Sequence, residues 1–260
     1  MTALRADLSL LWRQIRSQNR TFWRTPVAAF FTLALPVFFL ALFSVLFGGS
    51  EVGDGYRFAQ FFAPAMAVFA ACSATFSNLS IGTAFARDQG ILKRVRGTPL
   101  PPWIYMAGRI GSGVWIAVVS VVAMFVVGWS LFGFVMLWDN LGVALSVFVL
   151  GMATFSALGL SVCAVVRTAD TVPAVTNAVF LPMAFISGIF IPLEDAPAWL
   201  VVLGDIFPLK HFAEPFGASF NPFHTGPVLG WENLAIMGAW LVLGMVITTR
   251  LFSWDPRGSR

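Results

Sequence analysis

The chain has 260 residues, 58% of them hydrophobic and 11% charged, with a formal net charge of +4. A soluble domain carries roughly a quarter charged residues, so this composition excludes an ordinary soluble protein and defines an integral membrane protein, with no segment mixed enough to form a separate soluble domain. The positive balance does not imply nucleic acid, because the basic residues surround apolar runs and build no long basic tract.

In residues 1–26, Leu4, Leu8, Leu11, Trp12 and Ile15 recur at near-helical spacing, with Arg5, Arg13, Arg16, Arg20 and Arg24 between them. This pattern predicts an amphipathic helix lying on an anionic membrane surface. The basic region is too long for a cleavable signal peptide, and no small-residue cleavage site follows the first apolar run. That run, residues 27–47, is long enough to cross a hydrocarbon core of about 30 Å, with Pro36 as a tolerated kink. A glycine-rich polar loop containing Glu51 and Asp54 follows.

The second span, residues 61–85, carries Ser73, Thr75, Ser77, Asn78, Ser80 and Thr83. Such hydroxylated density serves close helix packing, and the alternative is a substrate path through Ser73, Ser77 and Asn78, joined by Asn177 of the fifth span. Cys72 in this span and Cys163 in the fourth lie in apolar surroundings, which argues against a disulfide framework or thiolate metal site and makes them packing residues.

Between the second and third spans stands a charged island, Arg87 to Arg109. Ile91, Leu92 and Val95 share one side of a helical wheel, and Lys93, Arg94 and Arg96 occupy the rest. A short surface helix is predicted, started by Asp88 and stopped by Gly97. Pro99, Pro101 and Pro102 prevent its continuation and suit the first turn of a new helix, which places Trp103 and Tyr105 at headgroup level. The island has two readings: a basic loop that fixes topology, or a docking surface whose proline hinge passes a push on to the spanning helix.

The third span, residues 103–132, has Arg109 in its first turns, where it snorkels to the interface or pairs with an acid. The fourth, residues 141–166, presents Gly142, Gly151, Ala153, Ser156, Ala157, Gly159 and Ser161 as a packing face. The fifth, residues 171–191, contains Pro173, Pro182 and Gly188, so a break in regular helix is expected. Residues 194–230 include an apolar patch, Trp199 to Phe207, too short to span. A re-entrant or interfacial helical hairpin fits, punctuated by Pro208, Pro215, Pro222 and Pro227. The last span is residues 232–252. Six crossings put both termini on one side. Of the 16 Lys and Arg, Arg57 and Lys210 fall on one face and the remaining 14 on the other, so the termini are expected in the cytoplasm.

No Walker A pattern occurs, since neither Lys93 nor Lys210 follows a glycine. The spans are nearly free of the ionisable residues that ion-coupled carriers place near the bilayer centre. Borrowed ATP hydrolysis is the better source of energy. The order of elements, together with Arg87-Asp88-Gln89-Gly90-Ile91-Leu92-Lys93-Arg94, Thr98-Pro99-Leu100-Pro101-Pro102-Trp103, Phe190-Ile191-Pro192-Leu193-Glu194 and Pro208-Leu209-Lys210-His211, resembles the permease subunits of type-2 ABC exporters, closest to the drug-resistance and lipid branch. The family pattern commonly has acids where Ala86 and Gln89 stand and Thr where Ile91 stands.

The resemblance implies an all-α integral membrane fold in one domain, residues 1–260. It has about six transmembrane helices, an N-terminal interfacial helix bearing Arg13, Arg16, Arg20 and Arg24, a cytoplasmic coupling helix within residues 87–98 and an extracellular hairpin at 194–230. It also implies the partners: a cytoplasmic ATPase dimer that carries the ATP and magnesium, a second permease subunit, identical or related, and membrane lipids, with no cofactor on this chain and no nucleic acid. The implied setting is the bacterial inner membrane. ATPase coupling falls to Asp88, Gln89, Gly90, Leu92, Lys93, Arg94, Arg96, Thr98 and Pro99, and an extracellular gate to Glu194, Asp195, Lys210, His211 and Glu214. Cargo is drug-like or lipid, or a polysaccharide or glycolipid within the same family. A rival from another class is an intramembrane enzyme using His211 and Glu214, which share a helix face, with His224 and Asp205. Pro215 is expected to end that helix at once, and too few ligands surround it for a metal site. A passive channel lined by the hydroxyls of the second span is a further alternative.

Overall fold

The computed structural model describes residues 2–47, 56–190 and 196–254, and every regular element among them is helical. The glycine-rich loop, Glu194, Asp195 and the tail from Asp255 lie outside the described residues. The helices are α1 (Thr2–Trp23), α2 (Pro26–Phe47), α3 (Ala59–Asp88), α4 (Ile91–Arg96), α5 (Pro102–Phe132), α6 (Leu141–Val165), α7 (Val172–Phe185), α8 (Ala198–Ile206), α9 (Pro208–Ala218) and α10 (Trp231–Leu251). Of these, α2, α3, α5, α6 and α10 are long and apolar enough to cross a membrane.

The run at 171–191 differs from expectation. Its helix, α7, has 14 residues, about 21 Å at 1.5 Å per residue, short of the roughly 30 Å core. A 3₁₀ turn at Ala169–Thr171 precedes it. The expected break falls at its far end, where Ile186 closes on the Pro182 carbonyl and Gly188 turns the chain with φ 78°.

Helix α3 is the axis of the bundle, with nearly nine-tenths of its apolar window buried. Its middle turn, Ser73–Ser77, is a π-turn. Two glycines clasp the backbone there. A Cβ on Gly159 of α6 would lie 2.7 Å from the Phe76 carbonyl oxygen and 3.0 Å from that of Thr75, and one on Gly113 of α5 would lie 3.3 Å from the Ala74 oxygen. The small-residue face expected in the fourth span thus lets two backbones meet. A second π-turn, Phe30–Ala34, sits in α2 just before Pro36. Proline removes the donor that a regular helix needs there, and the wider turn absorbs the misfit.

The apolar patch at 199–207 is helix α8, and it leads into α9, which packs against α3, α6 and α10. Helix α9 does not end at Pro215 as expected. It continues to Ala218 with Pro215 inside, because Phe212 and Phe216 are buried on the same side among Phe148, Phe155 and Phe220, and that packing outweighs one lost hydrogen bond. Gln60, 1% exposed at the start of α3, ties this hairpin to the neighbouring loop. Its Nε2 donates to the carbonyls of Val135 (3.0 Å) and Phe220 (2.8 Å), and its Oε1 accepts from the Val135 N–H at 2.8 Å.

Candidate functional site

The basic island lies where α3 ends and α5 begins. Asp88 does not start the short helix: its carboxylate sits in the last turn of α3, and the chain turns afterwards at Gln89 and Gly90. Gly90 has φ 69°, in the left-handed region that glycine enters without a Cβ penalty. The N-cap is therefore a backbone turn and not a carboxylate. Gly97 closes α4 as expected.

Helix α4 holds to the bundle through Leu92, fully buried against Ala86 and Tyr105, with Val95 and Leu100 packed around them. Tyr105 is accordingly covered by the short helix, while Trp103 is exposed. Ile91 was expected on the apolar side, yet it is exposed with Lys93, Arg94 and Arg96. Asp88, Gln89, Thr98 and Pro99 are exposed too. The Thr98 hydroxyl donates to the Val95 carbonyl at 2.6 Å, which closes the turn into the prolines, and Arg94 Nη2 donates to the Gln89 carbonyl at 3.1 Å.

Beneath the island is Arg87, 1% exposed. Its Nη1 donates to the Cys163 carbonyl (2.7 Å), and its Nη2 donates to those of Val166 (2.8 Å) and Arg167 (3.2 Å). The last carbonyls of a helix lack partners within it and form the negative end of its dipole. A guanidinium fork supplies both donors and opposite charge there, so a cation that would be costly to bury alone is satisfied. The bond joins α3 to the end of α6 at the level of the island. In the sequence Arg87 reads only as the first charge of the island. The signal that distinguishes it is position: it follows an unbroken apolar and hydroxylated run within one helix, whereas Lys93, Arg94 and Arg96 follow a glycine turn.

Among the described residues Arg109 pairs with no acid, and its Nη1 donates to the Tyr105 hydroxyl at 3.0 Å. Helix α1 lies along the same part of α5. A Cβ on Gly108 would meet Gln14 at 2.4 Å and one on Gly111 would meet Ile15 at 2.8 Å, and the Ser112 hydroxyl donates to Asn19 Oδ1 at 3.2 Å. Arg13, Arg16, Arg20 and Arg24 all remain exposed. The glycines of Gly108-Arg109-Ile110-Gly111 mark this contact in the sequence.

At the opposite end, Lys210 bonds Asp205 at 2.6 Å and stands 4.0 Å from Glu214. His211 has both ring nitrogens engaged, Nδ1 with Asn233 Oδ1 at 2.7 Å and Nε2 with the Asp205 carbonyl at 2.8 Å. These bonds fasten α8, α9 and α10 together, and the His211 and Glu214 pair is not arranged as an open acid-base site. Of the path residues, Ser73 is buried, Ser77 and Asn78 are half-buried and Asn177 is exposed on α7. No hydrogen bond joins these four among the described residues. The polar link between α3 and α7 is instead Ser80 with Thr176, hydroxyl to hydroxyl at 3.2 Å. Cys72 and Cys163 are both buried, and neither forms a disulfide among the described residues.

Residues 8–220, from α1 through the hairpin, match the ABC-2 type transporter family. This chain is a member of that family. It is 24% identical to a protein of Bacillus subtilis (strain 168) named as a transport permease, YvfS, over 93% of this chain and 96% of the relative. It is 29% identical to the daunorubicin resistance ABC transporter permease protein DrrB1 of Streptomyces coeruleorubidus, over 82% of this chain and 74% of the relative. To the inner membrane transport permease YadH of Escherichia coli (strain K12) it is 25% identical, over 76% and 78% respectively. The ABC-2 permease is therefore a multi-pass, all-α membrane subunit of an ABC transporter, and membership of the family implies an ABC ATPase as partner. Within this permease, α4 presents an exposed basic face, with Leu92 and Arg87 buried behind it.

Proposed function

We propose that this permease exports an amphipathic drug-like or lipid cargo by alternating access, driven by a separate ATPase dimer that docks on the island from Asp88 to Pro99. The observation that carries the reading is the pairing of two features at one place. Lys93, Arg94 and Arg96 face outward on a short helix, and the same short helix is keyed through Leu92 to Tyr105 of α5 while Arg87 bonds the end of α6. A displacement of α4 is thereby passed to three long helices. The 14 basic residues on the island's side support its placement in the cytoplasm of a bacterial cell, with both termini there. The hairpin α8–α9, with Lys210, His211 and Glu214, then lies outside as the gate, to which Glu194 and Asp195 of the preceding segment are also assigned. A second permease, identical or related, completes the path. The relative named for daunorubicin resistance supports a drug-like cargo.

The test is co-expression with candidate ATPase subunits and reconstitution in lipid vesicles. An ATPase that co-purifies and hydrolyses ATP, and that is lost or uncoupled when Lys93, Arg94 and Arg96 are reversed to Glu, is the expected result. A chain that recruits no ATPase, or whose ATPase ignores those reversals, refutes the docking assignment.

A further inference from the structure

We propose that the groove between α1 and α5 is a binding site for one anionic phospholipid of the leaflet on the island's side. The groove is a cavity of about 230 Å³ lined by Trp12, Ile15, Arg16, Asn19 and Trp115. Its lining is divided by chemistry. Arg16 offers a guanidinium that matches phosphate geometry. Asn19 accepts the Ser112 hydroxyl on Oδ1, which leaves its amide nitrogen as a second donor. Ile15 and the two indoles, Trp12 at 61% and Trp115 at 50% exposure, form an apolar wall.

The wall and the donors lie in the order a phospholipid requires. Helix α5 has 31 residues, about 46 Å, whereas the hydrocarbon core takes up about 20 residues. With exposed Trp129 and Trp138 at the far interface, the near boundary falls at about Gly111, where α1 crosses. Trp115 is then about one turn inside the core and Arg16 is at headgroup level. Charge selects the headgroup: Arg13, Arg16, Arg20 and Arg24 are all exposed along α1, while the acid among its described side chains is Asp7, about two turns before Arg16. Because Gly108 and Gly111 bring α1 into direct contact with α5, a bound lipid would brace the junction that leads to the island. The inference rests on the placement of this chain in a membrane, and not on its cargo or its ATPase.

The test uses the full chain in detergent, titrated with phosphatidylglycerol or phosphatidylcholine of identical acyl chains, with bound lipid counted by native mass spectrometry. One phosphatidylglycerol is expected to be retained at least about fivefold more tightly than phosphatidylcholine, as one cation beside a headgroup of net negative charge predicts, since the choline ammonium cancels that charge. Arg16→Gln should lower that affinity about fivefold and Arg13→Gln, outside the groove, distinctly less. Trp115→Ala should weaken retention of both lipids, and millimolar inorganic phosphate should not displace phosphatidylglycerol. Equal retention of the two lipids, or equal losses from Arg13→Gln and Arg16→Gln, would reduce the effect to diffuse attraction and overturn the site. Displacement by inorganic phosphate alone would assign the groove to a free anion. Loss of a dimer in Trp115→Ala with lipid retention unchanged would assign it to a second copy of the chain. The measurement needs neither ATPase nor transport, so its failure leaves the export reading intact, and the reverse holds as well.

Discussion

Arg87 and Cys163 are joined by a 2.7 Å hydrogen bond from the Nη1 of one to the carbonyl of the other, across the ends of two long helices. The bond is structural in origin, since it relieves the unpaired end of α6. It also ties α3 to α6 directly beside the island.

Arg87→Ala leaves three carbonyls without their donor and removes charge from the negative end of α6. A loss of about 3 kcal/mol is expected, read as a lower midpoint of thermal unfolding in detergent. Arg87→Lys should recover part of this, because a single ammonium satisfies fewer of the carbonyls than a fork.

Leu92→Ala and the reversals on the outer face of α4 should separate two effects. Removing the buried Leu92 side chain creates a cavity against Tyr105 and costs about 2–4 kcal/mol. Lys93→Glu, Arg94→Glu and Arg96→Glu touch exposed groups, so unfolding midpoints should stay near wild type while recovery of the ATPase falls about tenfold. Pull-down alongside melting curves distinguishes the two.

Gly159→Ala drives a Cβ to 2.7 Å from the Phe76 oxygen. Both contacting groups are backbone, and neither can turn aside. A destabilisation of about 1–3 kcal/mol is expected. Gly238→Ala in α10, with nothing within 4 Å of the added carbon, should be neutral or raise stability by up to about 1 kcal/mol. Equal effects of the two substitutions would refute the account of the π-turn clasp.

Gln60→Met should loosen the hairpin from the start of α3, with about 2–3 kcal/mol lost, since two carbonyls and one N–H lose a buried partner. Gln60→Glu keeps the acceptor for Val135 N–H and loses both donations, so it too should destabilise. Faster amide exchange around Phe220 and Val135 is the local readout.

Much of the fold was legible because a membrane leaves few choices. Backbone groups in lipid must be satisfied within the segment, so long apolar runs become helices, and the first four spans and the last agree with the structure to within a few residues. The island and its glycine stop were legible from period and turn chemistry. What composition and spacing could not settle was decided by contact between distant segments. Whether Arg87 is solvated depends on where the end of α6 arrives, 76 residues later. Whether Pro215 ends a helix depends on aromatic rings from α6 that pack beside it. Whether Tyr105 is exposed depends on Leu92 covering it. Gln60 looks like one polar residue at the edge of an apolar run until Val135 and Phe220 close around it. The sequence by itself determined a multi-pass helical membrane protein and the position of its basic island, because hydropathy and charge act along the chain. Tertiary structure alone determined which polar groups hold the helices together, because each buried donor is satisfied by a carbonyl that only folding brings within reach.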